Sequence, residues 1–156
     1  ADLSGDELGS QQLTFRPHGV QPGEYRFEVG TAGSALLVLQ TVLPPLLVAE
    51  GTSQLKLSGG THNSAAPPFE FVDQAFLPLV TRLGPQVNAT LGRHGFYPAG
   101  GGKLEVQIEP ARLQGGFELL ERGSVVSRRA CALVARLPRS VGDREVARIR
   151  ERLGWS

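Results

Sequence analysis

The stretch with the most chemical potential is Arg93-His94-Gly95-Phe96-Tyr97-Pro98-Ala99-Gly100-Gly101-Gly102. It joins a guanidinium and an imidazole to three consecutive glycines. Glycine has no Cβ and accepts φ > 0, so the run permits a tight turn or lets backbone N–H groups approach a ligand or another chain segment. Gln40 is a second candidate. It is the one long polar side chain in the nearly all-apolar run Ala35 to Ala49. Its amide both donates and accepts hydrogen bonds, so it either finds a backbone partner or faces a ligand. A further polar loop, Gly59-Gly60-Thr61-His62-Asn63-Ser64, carries another imidazole. His18, His62, His94 and Cys131 are scattered and give no zinc spacing. No metal ligand set is assigned, and each histidine reads as a surface or structural residue. Cys131 lies in an apolar run and is expected to be a buried, inert thiol.

The elements that must position these residues follow from periodicity. Glu24 to Val29 alternates, with Tyr25, Phe27 and Val29 inward; Gly30 to Gly33 breaks it. Ser34 is placed to cap a buried helix from Ala35 to Ala49, with Pro44-Pro45 expected to kink or end it. Ser53 to Ser58 is a strand with Leu55 and Leu57 on one face. Pro67 or Pro68 opens a helix whose stripe is Phe69, Val72, Phe76, Leu79, Val80 and Leu83. Gly84 and Pro85 end it. Val87 to Leu91 and Lys103 to Ile108 alternate on either side of the glycine loop, so that loop connects two strands.

The order is strand, helix, strand, helix, strand, strand. It predicts an α/β (α+β) fold with a four-stranded sheet and two helices on one face. The expected core sets Tyr25, Phe27, Val29, Leu55, Leu57, Leu104, Val106 and Ile108 against Val72, Phe76, Leu79 and Leu83. Upstream, Ala1 to Gly9 reads as a loop or frayed end and Gln11 to Phe15 as a short strand. Downstream, Phe117 to Gly123 is a short element, Arg128 to Leu137 a strand, and Ser140 to Leu153 an amphipathic helix capped by Ser140 and ended by Gly154. Its charges read as a solvated face.

The 156 residues suffice for a domain with a core. A net charge of +1 gives no global basic field that would announce nucleic acid. The single cysteine excludes an intramolecular disulfide and fits a reducing, cytoplasmic setting. No stretch reaches the ~18 apolar residues of a membrane span. A homo-oligomer stays open.

The loop Arg93 to Gly102, read with Gly59-Gly60-Thr61-His62-Asn63-Ser64-Ala65-Ala66-Pro67-Pro68, resembles the signature of the RNA 3′-terminal phosphate cyclases. The resemblance runs from about Leu8 to Leu153 and covers the middle of a family member. It implies repeated strand-helix-strand-helix-strand-strand units with a small inserted α/β domain. On that basis 1–20 is the tail of a first repeat, 21–110 a complete second, 111–128 the start of a third, and 129–156 the beginning of the insert. A strand at Arg128–Leu137 opening such an insert would leave an unpaired edge.

The implied activity uses ATP and a divalent metal, Mg²⁺ or Mn²⁺. The enzyme adenylates a histidine and passes AMP to an RNA 3′-phosphate. The neighbouring 2′-hydroxyl then closes a 2′,3′-cyclic phosphate. By resemblance Gln40 matches a nucleotide-contacting glutamine and Pro67 a prolyl residue that packs beside the nucleotide. Arg93 and His94 are lesser candidates for a phosphate or structural role. The family's nucleophilic histidine lies in a segment that nothing here matches, so no catalytic residue is assigned. The family also has ribosome-biogenesis homologues that keep the fold without cyclase activity; Gln40 and the His-Gly-Phe-Tyr wording favour the cyclase branch. A plain α/β interaction module is the third reading.

Overall fold

The structure is a computed structural model in which residues 1–30 and 33–155 are described. The strand break expected over 30–33 therefore lies partly outside the described residues. Four strands form one mixed sheet in the order β3-β4-β6-β5: β3 (Glu24–Glu28), β4 (Ser53–Gly59), β5 (Gln86–Arg93) and β6 (Gly102–Glu109). β3 and β4 run parallel. A parallel pair needs a crossover, and helix α1 (Ala35–Leu46) supplies it. β6 pairs antiparallel with both β4 and β5. Helix α2, residues 69–81, lies between β4 and β5.

Register puts the apolar residues on one face. Leu55 faces Val106, Leu57 faces Leu104, and Val87 faces Ile108 across the ladders. These side chains are buried together with Leu36, Leu39 and Leu43 of α1 and Leu77 and Val80 of α2. Both helices therefore cover the same side of the sheet. The intervening Gln54, Lys56, Lys103, Glu105 and Gln107 are exposed on the other side. Tyr25, Phe27 and Val29 on the edge strand are half-buried.

The expected stripe of α2 is shifted after its first turn. Val72 and Val80 are buried as expected, but Phe76 and Leu79 are 39% and 37% exposed, Leu83 is half-buried, and Leu77 points inward instead. The cause is a π-helical turn over Val72–Phe76, where the Leu77 N–H donates to the Val72 carbonyl. A π turn spends one extra residue and moves everything after it round by one position. Pro78 explains its location: it has no N–H, and in an α-helix its ring would press on the carbonyl four residues back. The Leu77→Ala variant is therefore expected to cost about 2–5 kcal/mol, and more than Phe76→Ala. Chemical denaturation of the two variants checks the ranking.

α1 carries both prolines in its last turn and ends at Leu46, the early end expected before Ala49. The two lost donors would have served the carbonyls of Gln40 and Thr41. Both residues are exposed, where water can serve carbonyls that lack a helical donor. Ser34 caps α1 as expected, its hydroxyl accepting from the Leu37 N–H at 3.3 Å.

The N-terminal stretch is not a frayed loop. β1 (Asp2–Ser4) pairs antiparallel with β2 (Thr14–Arg16), and the His18 imidazole meets Asp2 at 2.9 Å. The strand expected at Gln11 to Phe15 is present in part, as β2, whereas its partner β1 was not expected.

The chain divides into two compact units, Ala1–Phe117 and Glu118–Ser156. In the second, helix α3 (Arg139–Leu153) begins after Pro138, which takes the cap position assigned to Ser140, and ends at Gly154 in the left-handed region. No strand forms at Arg128–Leu137 and no helix or strand at Phe117–Gly123 among the described residues. A strand exists only through its ladder, and residues 128–137 have no sheet partner there. They lie against α3 instead, with Ala132 and Val134 over Gly142. Cys131 is consequently exposed, not buried. No helix of the described residues is long and apolar enough to cross a membrane.

Candidate functional site

A cleft lies between the two helices that share a sheet face. Leu36, Leu39 and Gln40 of α1 line one side; Pro67, Phe71, Val72 and Phe76, from the entry and first turns of α2, line the other. The cavity measures about 200 Å³. The π turn shapes it. By rotating Leu77 inward it leaves Phe76 half-exposed at the cleft, with Phe71 55% exposed beside it. Gln40 is exposed and its side chain makes no protein hydrogen bond among the described residues. The penalty of a buried, unpaired amide therefore does not arise. The result is an apolar, aromatic-edged slot with one amide able to donate and accept.

Gln40 and Pro67, distant in sequence, thus meet at one cavity. Arg93 and His94 are not among its lining residues. Arg93 is exposed at the end of β5, opposite Lys103 across a register shift.

The glycine loop is fastened to the end of β4 by Thr61. Gly95 donates its N–H to Thr61 Oγ1 at 2.9 Å, and its carbonyl accepts from the N–H groups of Thr61 and His62 at 2.9 and 3.1 Å. Thr61 is fully buried. Gly100 and Gly101 have φ of 63° and 70°, the left-handed region, and turn the chain back into β6. Thr61→Val keeps the volume but orphans the Gly95 N–H. It is expected to cost about 1–3 kcal/mol, read as a lower midpoint in thermal unfolding.

This fastening gathers three side chains that sequence spacing kept apart. His62 Nε2 lies 2.8 Å from Glu70 Oε2, and its Nδ1 lies 2.9 Å from Thr61 Oγ1. Burial pushes the Glu70 carboxyl up. Its own backbone N–H, the His62 hydrogen bond, and the charges of His62 and His94 together outweigh that and hold it below the ordinary value. A carboxylate only accepts, so His62 donates its Nε2–H to Glu70 Oε2. His94 lies 5.2 Å from His62, ring centre to ring centre, and stacks at 5° on Phe96. One ligand atom from each of His62, Glu70 and His94 lies within 4.8 Å of the others. The positions come from the loop after β4, the first turn of α2 and the glycine loop, so no linear pattern of His and Glu could have indicated the group. The only sequence signal was that both histidines fall in the two polar, glycine-rich loops.

The first unit is thus a mixed α/β domain with an amide-edged apolar cleft between two helices on one sheet face. Comparison with known proteins makes this specific. The sequence pattern of the family described as RNA 3′-terminal phosphate cyclase matches residues 1–137. A protein named RNA 3′-terminal phosphate cyclase from Koribacter versatilis is 53% identical over 146 residues, 94% of this chain and 41% of its own. One from Ectopseudomonas mendocina is 50% identical over 155 residues, 99% of this chain and 45% of its own. One from Salmonella typhimurium is 51% identical over 147 residues, 94% and 43%. The chain belongs to the RNA 3′-terminal phosphate cyclase family. It spans less than half the length of the curated relatives it matches.

Proposed function

We propose that this chain forms the nucleobase pocket of an ATP-dependent RNA 3′-phosphate cyclase. The reaction converts an RNA 3′-phosphate to a 2′,3′-cyclic phosphodiester through a histidine-AMP enzyme and an RNA adenylate. A phosphate monoester dianion is a poor electrophile, and joining it to AMP gives its phosphorus a good leaving group. The single observation that carries the reading is the meeting of Gln40 and Pro67 at one apolar cleft.

The residues present fit a purine base. Pro67 and the half-exposed rings of Phe71 and Phe76 offer flat apolar surface, and the Gln40 amide reads a base edge that both donates and accepts. At about 200 Å³ the slot falls below the roughly 300–1,000 Å³ of complete ligand pockets. It takes the base and leaves the triphosphate to contacts outside it. The start of α2 does not serve the phosphates, because Glu70 occupies its first turn. No carboxylate lines the cleft, so the Mg²⁺ or Mn²⁺ implied by the family has no ligand there and accompanies the phosphates.

We also read residues 1–20 as the tail of a first repeat, 21–110 as a complete second, 111–128 as the start of a third and 129–156 as the opening of an inserted domain. The separate β1–β2 sheet and the unbroken βαβαββ order of β3 to β6 support this division.

The test uses the full-length protein that contains these residues, ATP with divalent metal, and an RNA labelled at its 3′-phosphate. Cyclisation makes the label resistant to phosphatase. Label that stays phosphatase-sensitive at high enzyme concentration would favour a non-catalytic member of the family.

A further inference from the structure

We propose that His62, Glu70 and His94 form a binding site for a borderline divalent cation of the zinc class, separate from the cleft and from any metal that accompanies ATP. The donor set is two imidazoles and one carboxylate, with ligand atoms within 4.8 Å of one another. That set suits Zn²⁺ or Co²⁺; Mg²⁺ demands oxygen ligands and octahedral geometry. Three protein ligands leave a fourth position for water.

The geometry needs little adjustment. At tetrahedral Zn²⁺, ligand atoms sit roughly 3.3 Å apart, given metal–ligand bonds of about 2.0–2.1 Å. His62 Nε2 and Glu70 Oε2, now 2.8 Å apart, have to open slightly. His94 has to close in; its ring is exposed and is held only by its contacts with Phe96 and His62.

The ligand with least freedom is also the best supported. The His62 side chain is 11% exposed, and its second nitrogen already lies 2.9 Å from Thr61 Oγ1. Metal-bound histidines characteristically give their other N–H to such an acceptor. On binding, the cation replaces the Nε2 proton. Nδ1 then carries the hydrogen and donates it to Thr61 Oγ1, which keeps the Gly95 N–H on its other lone pair. A plain His–Glu hydrogen bond accounts for two of these residues but gives no reason for a second imidazole at the same point. A bound cation would tie the glycine loop to the start of α2 through three segments.

The experiment uses the full-length protein, stripped with chelator and without ATP, titrated with CoCl2 and separately with ZnCl2 and MgCl2. The expected result is visible d–d absorption of low-coordinate Co²⁺ without a thiolate charge-transfer band, displacement by Zn²⁺, and no response to Mg²⁺. Zn²⁺ is expected to raise the thermal midpoint. His94→Ala and Glu70→Gln should each weaken binding by more than about tenfold and abolish the Zn²⁺-induced shift, while His18→Ala leaves both unchanged. If Glu70→Gln does not fold, the exposed His94→Ala decides alone. Absence of the Co²⁺ bands, or equal binding by the wild type and His94→Ala, overturns the proposal. Neither result bears on the cleft.

Discussion

Gly95→Ala is expected to destabilise the protein by about 3 kcal/mol or more, at the upper end for an overpacked site. A Cβ at position 95 would lie 2.3 Å from the Gly59 carbonyl oxygen, 2.5 Å from the Gly102 nitrogen and 2.8 Å from the Gly102 Cα. All three atoms are backbone in paired strands, and none can swing aside. The same residue binds Thr61 through both its N–H and its carbonyl, so a shift that relieves the clash breaks the fastening between β4 and the glycine loop. The thermal midpoint should fall by on the order of 10 °C. Gly92 is the control. A Cβ there meets only Lys103, at 3.7 Å and beyond, and Gly92→Ala should stay within about 0.5 kcal/mol of wild type. Equal losses at the two positions would mean that close backbone approach is not why Gly95 is glycine.

Gln40→Ala in the full-length protein is expected to weaken ATP binding by roughly ten- to a hundredfold, the range of a paired amide contact to adenine worth about 1–3 kcal/mol. Its stability should change by less than about 0.5 kcal/mol, as for other surface substitutions. The separation is clean because Gln40 is exposed and makes no side-chain hydrogen bond among the described residues. Calorimetric titration with ATP, alongside thermal unfolding without it, reads the two effects independently. Loss of stability in step with affinity would make Gln40 a structural residue.

The parts of this fold that obey period two were legible from residues alone. Leu55, Leu57, Leu104, Val106 and Ile108 are buried as their alternation requires, because register across a ladder leaves no freedom once one face is apolar. The second half of α2 was not legible. A helical stripe is read by counting, and one π turn before Pro78 shifts the count, so that Leu77 is buried in place of Phe76 and Leu79. Residues 128–137 failed for another reason. Their apolar run has the composition of a strand, but strand formation depends on a partner, and a run cannot carry that information.

The site divides in the same way. Gln40 stood out as a lone amide in an apolar helix. Pro67 had no signal of its own beyond opening a helix, and its place in the cleft depended on the family resemblance. Of the neighbours that complete the slot, Phe76 was assigned to the core because the π turn was not anticipated, and Phe71 had no signal of its own. The group of His62, Glu70 and His94 depends on Gly95 approaching Thr61, a contact between segments that no local pattern reports.

The most direct measurement is a crystal structure of the full-length protein with ATP. The adenine is expected in the cleft between α1 and α2, its face against Pro67 and its edge within hydrogen-bond distance of the Gln40 amide. Adenine bound elsewhere, with the cleft between Gln40 and Pro67 holding only water, would contradict the assignment of this cleft as the nucleobase pocket.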